Sequence, residues 1–291
     1  MYSKKILLLG ANFENEIGME YGVLRSFLKK GFEVKSLSYR KYPENVLNFA
    51  LRSSVHNSNI LFVIKGERVN PNLIAELNFD LKILWFQDDL NWGFNLQLFE
   101  SICWAYDLVF YFDKSWIERI KKFHDNVEFL PLAVSPEVFN GKTPFDKKIY
   151  DVSFACSIVG ERELISFLLK NYNGVIGPTK DYKKVLEKSK IIVNWPVTNT
   201  DATQQRIYEA GASFCLVITK NVKEKYKIVE NIVYVKDYED LVWNISYFLG
   251  HREQMERKAK ELKKEILSKH TYDNRLDQII KLVGGNLWHF S

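Results

Sequence analysis

The sequence predicts an α/β protein of two domains, each built on a parallel sheet. Three observations carry this reading. The chain opens as strand, helix, strand: an apolar run over residues 5–10, an amphipathic stretch over 19–30 stopped by Gly31, and a second strand from Phe32. Short, predominantly apolar strand-length runs then recur between helix-length segments, at 60–64, 81–86, 108–112, 150–155, 191–194 and 214–218, as expected of a largely buried parallel sheet. Between the two groups, residues 133–148 lose all periodicity and turn to Ser, Pro, Asn, Gly and Thr, which marks a linker.

Composition sets the bounds. At 291 residues, 46% hydrophobic and 26% charged, the chain has the make-up of a soluble globular protein long enough for two cores. No apolar run approaches the ~18 residues of a membrane span. The N-terminal basic residues and apolar run lead straight into a turn with no small-residue cleavage site, so they read as a first strand and the expected location is cytoplasmic. Cys103, Cys156 and Cys215 are odd in number, widely spaced and set among apolar residues, as reduced core thiols are. The net charge of +5 permits an anionic partner without requiring one.

In the first domain, the loop 11–18 lies between Gly10 and Gly18, and the following helix carries Tyr21, Leu24, Phe27 and Leu28 on one face. No G-x-G-x-x-G follows the first strand, so the dinucleotide fingerprint is excluded. A helix over 45–54 and the strand 60–64 lead to Lys65-Gly66-Glu67, and Pro71 opens a helix to residue 77. The strand 81–86 delivers Gln87, Asp88 and Asp89 at its carboxyl end, where open α/β sheets bind ligands. A helix over 96–105, the strand 108–112, a helix over 115–123 capped by Asp113, and a strand over 127–130 complete it. The second domain follows as the strand 150–155, the turn 156–160, a helix over 161–170, a strand and turn over 174–178, a helix over 181–188 and the strand 191–194. After the segment 201–219 come a helix near 222–227, a strand over 232–235, and helices over 238–249, 251–268 and 273–284.

Chemistry concentrates in 201–219. Asn199, Thr200 and Asp201 are cap-type residues ahead of a helical pattern with Ile207, Ala210 and Gly211 inward. Asp201 and Glu209 are two carboxylates separated by seven residues, with Arg206 one turn before Glu209. A carboxylate accepts from both hydroxyls of a vicinal diol such as ribose, and a helix N-terminus suits a diphosphate. Together these parts suit a nucleotide sugar.

Arg206-Ile-Tyr-Glu209-Ala-Gly-Ala with its following strand resembles the R-x-F-E-A helix of the CgeB-like (spore-maturation type) glycosyltransferases, with Tyr208 in place of the Phe. Further matches lie in the same order at Trp85-Phe-Gln-Asp-Asp89, Leu108 to Asp113, Leu130 to Val134, Tyr234 to Leu241, and His270-Thr-Tyr272 with Arg275. The resemblance implies a GT-B architecture: two Rossmann-like domains with a cleft between them, a glycosyl transferases group 1-like second domain, and a C-terminal helix crossing back. The expected boundaries are 1–134 for the acceptor-side domain, 135–149 for the linker, 150–270 for the nucleotide-sugar domain and 271–291 for the returning helix. The implied activity is transfer of a sugar from a nucleotide sugar, a UDP-sugar first among the candidates, to a hydroxyl of a glycan, protein or small molecule. A virus-type transferase acting on hydroxymethylated bases in DNA, and a non-catalytic nucleotide- or glycan-binding module, stand as alternatives.

The resemblance assigns Glu209 to the donor ribose and Asp201 to donor sugar hydroxyls, although Asp201 equally reads as a helix cap. Arg206 neutralises a diphosphate or pairs with a neighbouring acid. Ser157 and Arg162 match a phosphate-side turn, with Cys156 where the family has Gly, and Lys65 and Gly66 match a K-G step on the acceptor side. Asn194 with Trp195, or Tyr182, lines the nucleobase pocket. Asp88 and Asp89 are the acid–base candidates, at most one of them catalytic because adjacent side chains diverge. Their adjacency is not the D-x-D of metal-binding transferases, so no metal cofactor is expected.

Overall fold

The computed structural model describes residues 5–198 and 200–284; Asn199, read above as a cap-type residue, and the terminal residues 1–4 and 285–291 lie outside the described residues. The chain divides into two compact units, one of residues 1–131 with 272–291, the other of residues 132–271.

The first unit is laid down by β1 (Lys5–Gly10), α1 (Met19–Lys29), β2 (Glu33–Ser38), α2 (Glu44–Ser54), β3 (Ile60–Ile64), α3 (Pro71–Glu76), β4 (Leu81–Phe86), α4 (Asn95–Ile102), β5 (Leu108–Tyr111), α5 (Ile117–Ile120) and β6 (Val127–Phe129). Its strands form a parallel sheet in the order β2-β1-β3-β4-β5-β6. The chain steps from β1 to one neighbour and then returns to the other, which opens a crevice at the carboxyl ends of β1 and β3. Ile6 to Leu9, Ile60 to Ile64 and Val109 to Tyr111 are all buried, so the continuous apolar runs are strands covered on both faces. Asn70 caps α3 through its side chain and Pro71 fills the first helical position, which sets that helix start.

The second unit follows with β7 (Tyr150–Ser153), α6 (Arg162–Leu169), α7 (Tyr182–Lys188), β8 (Ser189–Asn194), α8 (Gln205–Ala212), β9 (Leu216–Lys220), β10 (Val233–Val235), α9 (Tyr238–Gly250) and α10 (Arg252–Lys269). The sheet runs β10-β9-β8-β7, all parallel, and an isolated parallel bridge joins Phe154 to Ile176. The chain therefore leaves β7 on one side and returns on the other as β8, with its crevice between the ends of those two strands. Val152, Ile165, Ile191, Val193, Leu216, Ile218 and Val235 make the center of a core that α9 and α10 complete with Ile245, Met255 and Ala259. Finally α11 (Tyr272–Val283) belongs to the first unit, where Ser26 donates to Asp273 at 2.7 Å, Lys29 pairs with Asp273 and Lys30 pairs with Asp277.

Several elements differ from their sequence reading. The helix expected over 115–123 is a 3-10 turn, Lys114–Trp116, and the single-turn α5; Asp113 caps it through Ser115 as expected. The segment near 222–227 is only a 3-10 turn, Glu224–Tyr226. The helix carrying Glu209 starts at Gln205, so Asp201 lies outside it and does not cap it. Its strand starts at Leu216, because Phe214 takes a left-handed φ of 63° that ends one element before the next begins. Over 174–178 the strand shrinks to the single bridge at Ile176. The three cysteines are buried free thiols.

Gly174 shows how tightly that bridge is packed. A Cβ built there would stand 1.7 Å from the Val152 carbonyl oxygen, a backbone atom that cannot turn aside. Gly174→Ala should therefore cost at least about 2 kcal/mol, read as a lower midpoint in urea unfolding. An unchanged midpoint would show that β7 can shift to make room.

Candidate functional site

The second unit gathers most of the charged and polar groups singled out in the sequence around the carboxyl ends of β7 and β8. Glu209 lies on α8 with only 7% of its surface exposed. The Tyr182 hydroxyl, at the start of α7, donates to its Oε2 at 2.6 Å, and Gln205 Nε2, one turn earlier on α8, donates to Oε1 at 3.2 Å. The same Gln205 nitrogen donates to the Ala133 carbonyl at 2.7 Å. Burial pushes the Glu209 carboxyl up to about 7, against the two donors and the Arg206 charge, which pull it down. Burial likewise raises the Tyr182 hydroxyl, with the Glu209 charge adding to it. Tyr182 also meets Phe139 edge to face at 6.4 Å.

The Arg206 guanidinium lies near this acid, and the Arg162 guanidinium lies near Arg206. Arg206 donates from Nη1 to Asn194 Oδ1 at 3.3 Å, while its Nε is buried with no hydrogen-bond partner. Asn194, at the end of β8 and 1% exposed, is held by donating to Thr219 Oγ1 at 3.0 Å on β9. Arg162 opens α6 and is 6% exposed; its Nε donates to the Trp195 carbonyl at 2.7 Å and its Nη1 to the Ser157 carbonyl at 3.2 Å and Ser157 Oγ at 3.5 Å. Burial, and then the neighboring Arg206 charge, hold the Arg162 pKa below its usual value. Burial raises the Cys156 thiol, against both Arg206 and Arg162, so Cys156 sits within the field of the pair. Two cations that repel one another across a strand crevice are relieved by an anion between them. Trp195 is fixed rather than open: its Nε1 donates to Glu161 at 2.9 Å and its ring stacks on Tyr238 at 5.3 Å.

Asp201 is set apart from this group. Its Oδ1 accepts from the Lys223 backbone N–H at 3.1 Å and its Oδ2 pairs with Lys223 Nζ at 3.2 Å. It lines a cavity of about 230 Å³ with Pro196, Thr198, Thr200, Lys220, Asn221 and Lys223.

The first unit has its own cluster at the carboxyl ends of β3 and β4. Lys65 and Gly66 both take left-handed φ, 64° and 83°, and the turn they make brings Lys65 Nζ to 2.5 Å from Asp88 Oδ2. Glu67 lies 3.9 Å from the same Lys65 and accepts from the Tyr39 hydroxyl at 2.6 Å and from Arg40 Nε at 2.7 Å. Asp89 faces elsewhere: its Oδ1 accepts from the Asn91 N–H at 2.9 Å and side-chain amide at 3.0 Å. Among the described residues no group of three or more His, Cys, Asp or Glu is placed to hold a metal ion, and no helix is long and apolar enough to cross a membrane.

Tyr182, Arg206, Glu209 and Asn194 thus meet in one network, with Arg162 and Ser157 beside it, and Lys65 meets Asp88. Gln205 was not singled out in the sequence, although its place four residues before Glu209 on one helix face was a usable signal. Glu67, which ties Lys65 to Tyr39 and Arg40, had no sequence signal beyond following the Lys65-Gly66 turn.

Residues 146–281, slightly under half of the chain, match the model of the family described as Glycosyl transferase-like. Comparison with curated proteins finds no match. Among solved structures, a mutant of S. aureus TarM in complex with fondaparinux, alpha-GlcNAc-glycerol and UDP is similar, with a TM-score of 0.56 at 13% identity over 83% of this chain and 58% of that one. S. aureus MnaA with UDP matches at a TM-score of 0.54 and 12% identity over 98% and 97% of the two chains. A protein described as a UDP-N-acetylglucosamine 2-epimerase from Listeria monocytogenes matches at 0.60 and 10% identity over 99% and 98%. The chain therefore spans under three fifths of the length of the TarM structures it matches.

The Glu209 geometry makes a prediction independent of any ligand. Its folded pKa stands above the ordinary 4.5, so the folded protein keeps a proton that the unfolded chain loses as pH rises from 4.5 to 7. Stability falls across that window, by roughly 3 kcal/mol once Glu209 is ionised. Glu209→Gln should be more stable than the native protein at pH 8, with an advantage in thermal unfolding that shrinks toward pH 5. An advantage independent of pH would mean that Glu209 is not buried as described. Taken with the comparisons, the two parallel-sheet units have the GT-B fold, and residues 146–281 are similar to the glycosyl transferase-like family.

Proposed function

We propose that the chain is a CgeB-like glycosyltransferase that moves a sugar from a nucleotide sugar to an acceptor hydroxyl. The observation that carries this is the buried, doubly hydrogen-bonded Glu209 carboxylate near Arg206, with Arg162 in turn near Arg206 at the end of the same strands. A buried acid is costly unless it is used, and a ribose diol meets it with two hydroxyl donors. Arg206 and Arg162 take the diphosphate, with the unpartnered Arg206 Nε as one donor and Ser157 at the edge. Asn194 and Tyr182 bound the nucleoside side, and Asp201 takes a hydroxyl of the transferred sugar in exchange for Lys223. UDP is the nucleotide of choice, since the TarM and MnaA structures that share the fold hold it.

In this reading the second domain (150–270) holds the donor, the first (1–134) handles the acceptor, the stretch 135–149 joins them, and the helix within 271–291 returns to the first. Asp88 accepts the proton of the acceptor hydroxyl; Lys65 holds its carboxylate in place, and the Gly66 turn sets Lys65. Asp89, committed to its own turn, shapes the loop. The oxygen of the acceptor forms the new bond to the anomeric carbon, and the nucleoside diphosphate leaves with the bonding pair. Two cations on the diphosphate supply the countercharge, so no metal is required. The DNA acceptor and the non-catalytic module are supported by no observation on this chain.

A protein described as a UDP-N-acetylglucosamine 2-epimerase shares the fold over nearly the full chain, so the reaction itself must be tested. Incubated with UDP-sugars and glycans, the protein should release UDP and form a glycoside, unaffected by EDTA. A C2 epimer of the nucleotide sugar with no glycoside formed would replace transfer by epimerisation. In calorimetry, Glu209→Ala should weaken UDP at least about tenfold while the variant still folds, as circular dichroism would read. UDP affinity should also rise from pH 6 to 8, because the ionised carboxyl is the better acceptor. Unchanged affinity in the variant removes Glu209 from the site.

A further inference from the structure

The first unit holds a cavity of about 290 Å³ that none of the roles above uses, lined by Tyr39, Tyr42, Pro43, Glu44, Leu47 and Arg68. Tyr39 and Leu47 are buried and form its floor, and Tyr42, 41% exposed, and Pro43 form an apolar wall. Glu44 and Arg68 stand at the same cavity, yet neither side chain makes an ion pair or a hydrogen bond among the described residues. This separation follows from the backbone. The turn Gly66–Val69, closed by Val69 N–H to the Gly66 carbonyl at 3.1 Å, sends Glu67 inward to Tyr39 and Arg40 and leaves the next residue, Arg68, at the cavity. Glu44 is fixed as the first residue of α2 behind Pro43.

An aromatic wall with one carboxylate and one guanidinium, both unspent, is the chemistry of a saccharide site. The ring covers the apolar face of a pyranose, the carboxylate accepts from hydroxyls and the guanidinium donates to them. Place narrows the ligand further. Tyr39 follows β2 and Asp88 follows β4, three strands apart in the sheet, or roughly 14 Å at the usual ~4.8 Å spacing. The two are also joined by contact: Tyr39 to Glu67 at 2.6 Å, Glu67 to Lys65 at 3.9 Å, and Lys65 to Asp88 at 2.5 Å.

We propose that this cavity binds a sugar unit of an oligosaccharide acceptor, remote from the hydroxyl that reacts at Asp88. The proposal deepens the transferase reading and rests on it for the word acceptor: a chain of several sugars spans the distance, and a small metabolite does not. Binding at the cavity then selects acceptors by length and by the sugar at its far end.

The test uses the full chain and three probes, maltotetraose, cellotetraose and chitotetraose, each titrated by ligand-observed NMR, with UDP titrated in parallel. At least one tetrasaccharide should bind, and Tyr42→Ala and Arg68→Ala should each weaken it about tenfold. Both side chains are exposed, so melting temperature and UDP affinity should not move. No binding by any tetrasaccharide, or equal binding by both variants, overturns the proposal. UDP binding without saccharide binding sinks the cavity and spares the transferase reading. Saccharide binding that both variants lose, in a protein blind to UDP, keeps the cavity as a saccharide site and sinks the transferase.

Discussion

A carboxylate kept out of water organises the second unit. Glu209 is buried on α8, and its two oxygens accept from Tyr182 and Gln205. Each donor ties a different element to the acid. Tyr182 brings the start of α7, and Gln205, through the Ala133 carbonyl, brings the segment that follows β6. Removing water from an acid costs several kcal/mol unless donors and cations compensate. Here the donors are present but the carboxyl still stands near neutrality, so compensation is partial. A diol arriving with two more hydroxyl donors would complete it. The free protein is thus less stable than it need be at the place where a ligand would relieve the cost.

Topology explains why these groups collect where they do. In both units the chain steps to one side of a first strand and then to the other, and side chains following the flanking strands converge at the opening. After β7 and β8 these are Ser157, Arg162, Asn194 and Trp195, a mostly cationic and amide surface. After β3, which flanks the first unit's opening, and its neighbour β4 they are Lys65, Glu67 and Asp88, in which every charge has an opposite within reach. One crevice carries unbalanced positive charge suited to an anion, the other a compensated set suited to neutral hydroxyls. The left-handed pair Lys65 and Gly66 is the local cost of folding that second set.

The strands were legible in the sequence because being buried on both faces leaves an uninterrupted apolar run, as at Ile60 to Ile64 and Ile83 to Phe86. A cap was legible when the capping bond is local, as for Asp113 with Ser115, and Pro71 marked the start of its helix. Asp201 was not, because its partner Lys223 lies far along the chain and outcompetes the helix it precedes. The helix after Asp113 was overread because residues 117–120 supply one turn of apolar contact and the next two, Lys121 and Lys122, are exposed. At the candidate site, residue types and strand ends were legible, but pairings were not. Glu209 with Tyr182 and Arg162 with the Trp195 carbonyl join positions far apart in sequence. The raised carboxyl of Glu209 is a property of burial, which no spacing of charges encodes.

The central claim is that Glu209 grips the ribose of a nucleotide sugar while Arg162 and Arg206 hold its diphosphate. A crystal structure of the protein with UDP tests it most directly. The account predicts both ribose hydroxyls within hydrogen-bond distance of the Glu209 carboxylate, and diphosphate oxygens on the two guanidinium groups. UDP bound elsewhere, with Glu209 still held only by Tyr182 and Gln205, would contradict it.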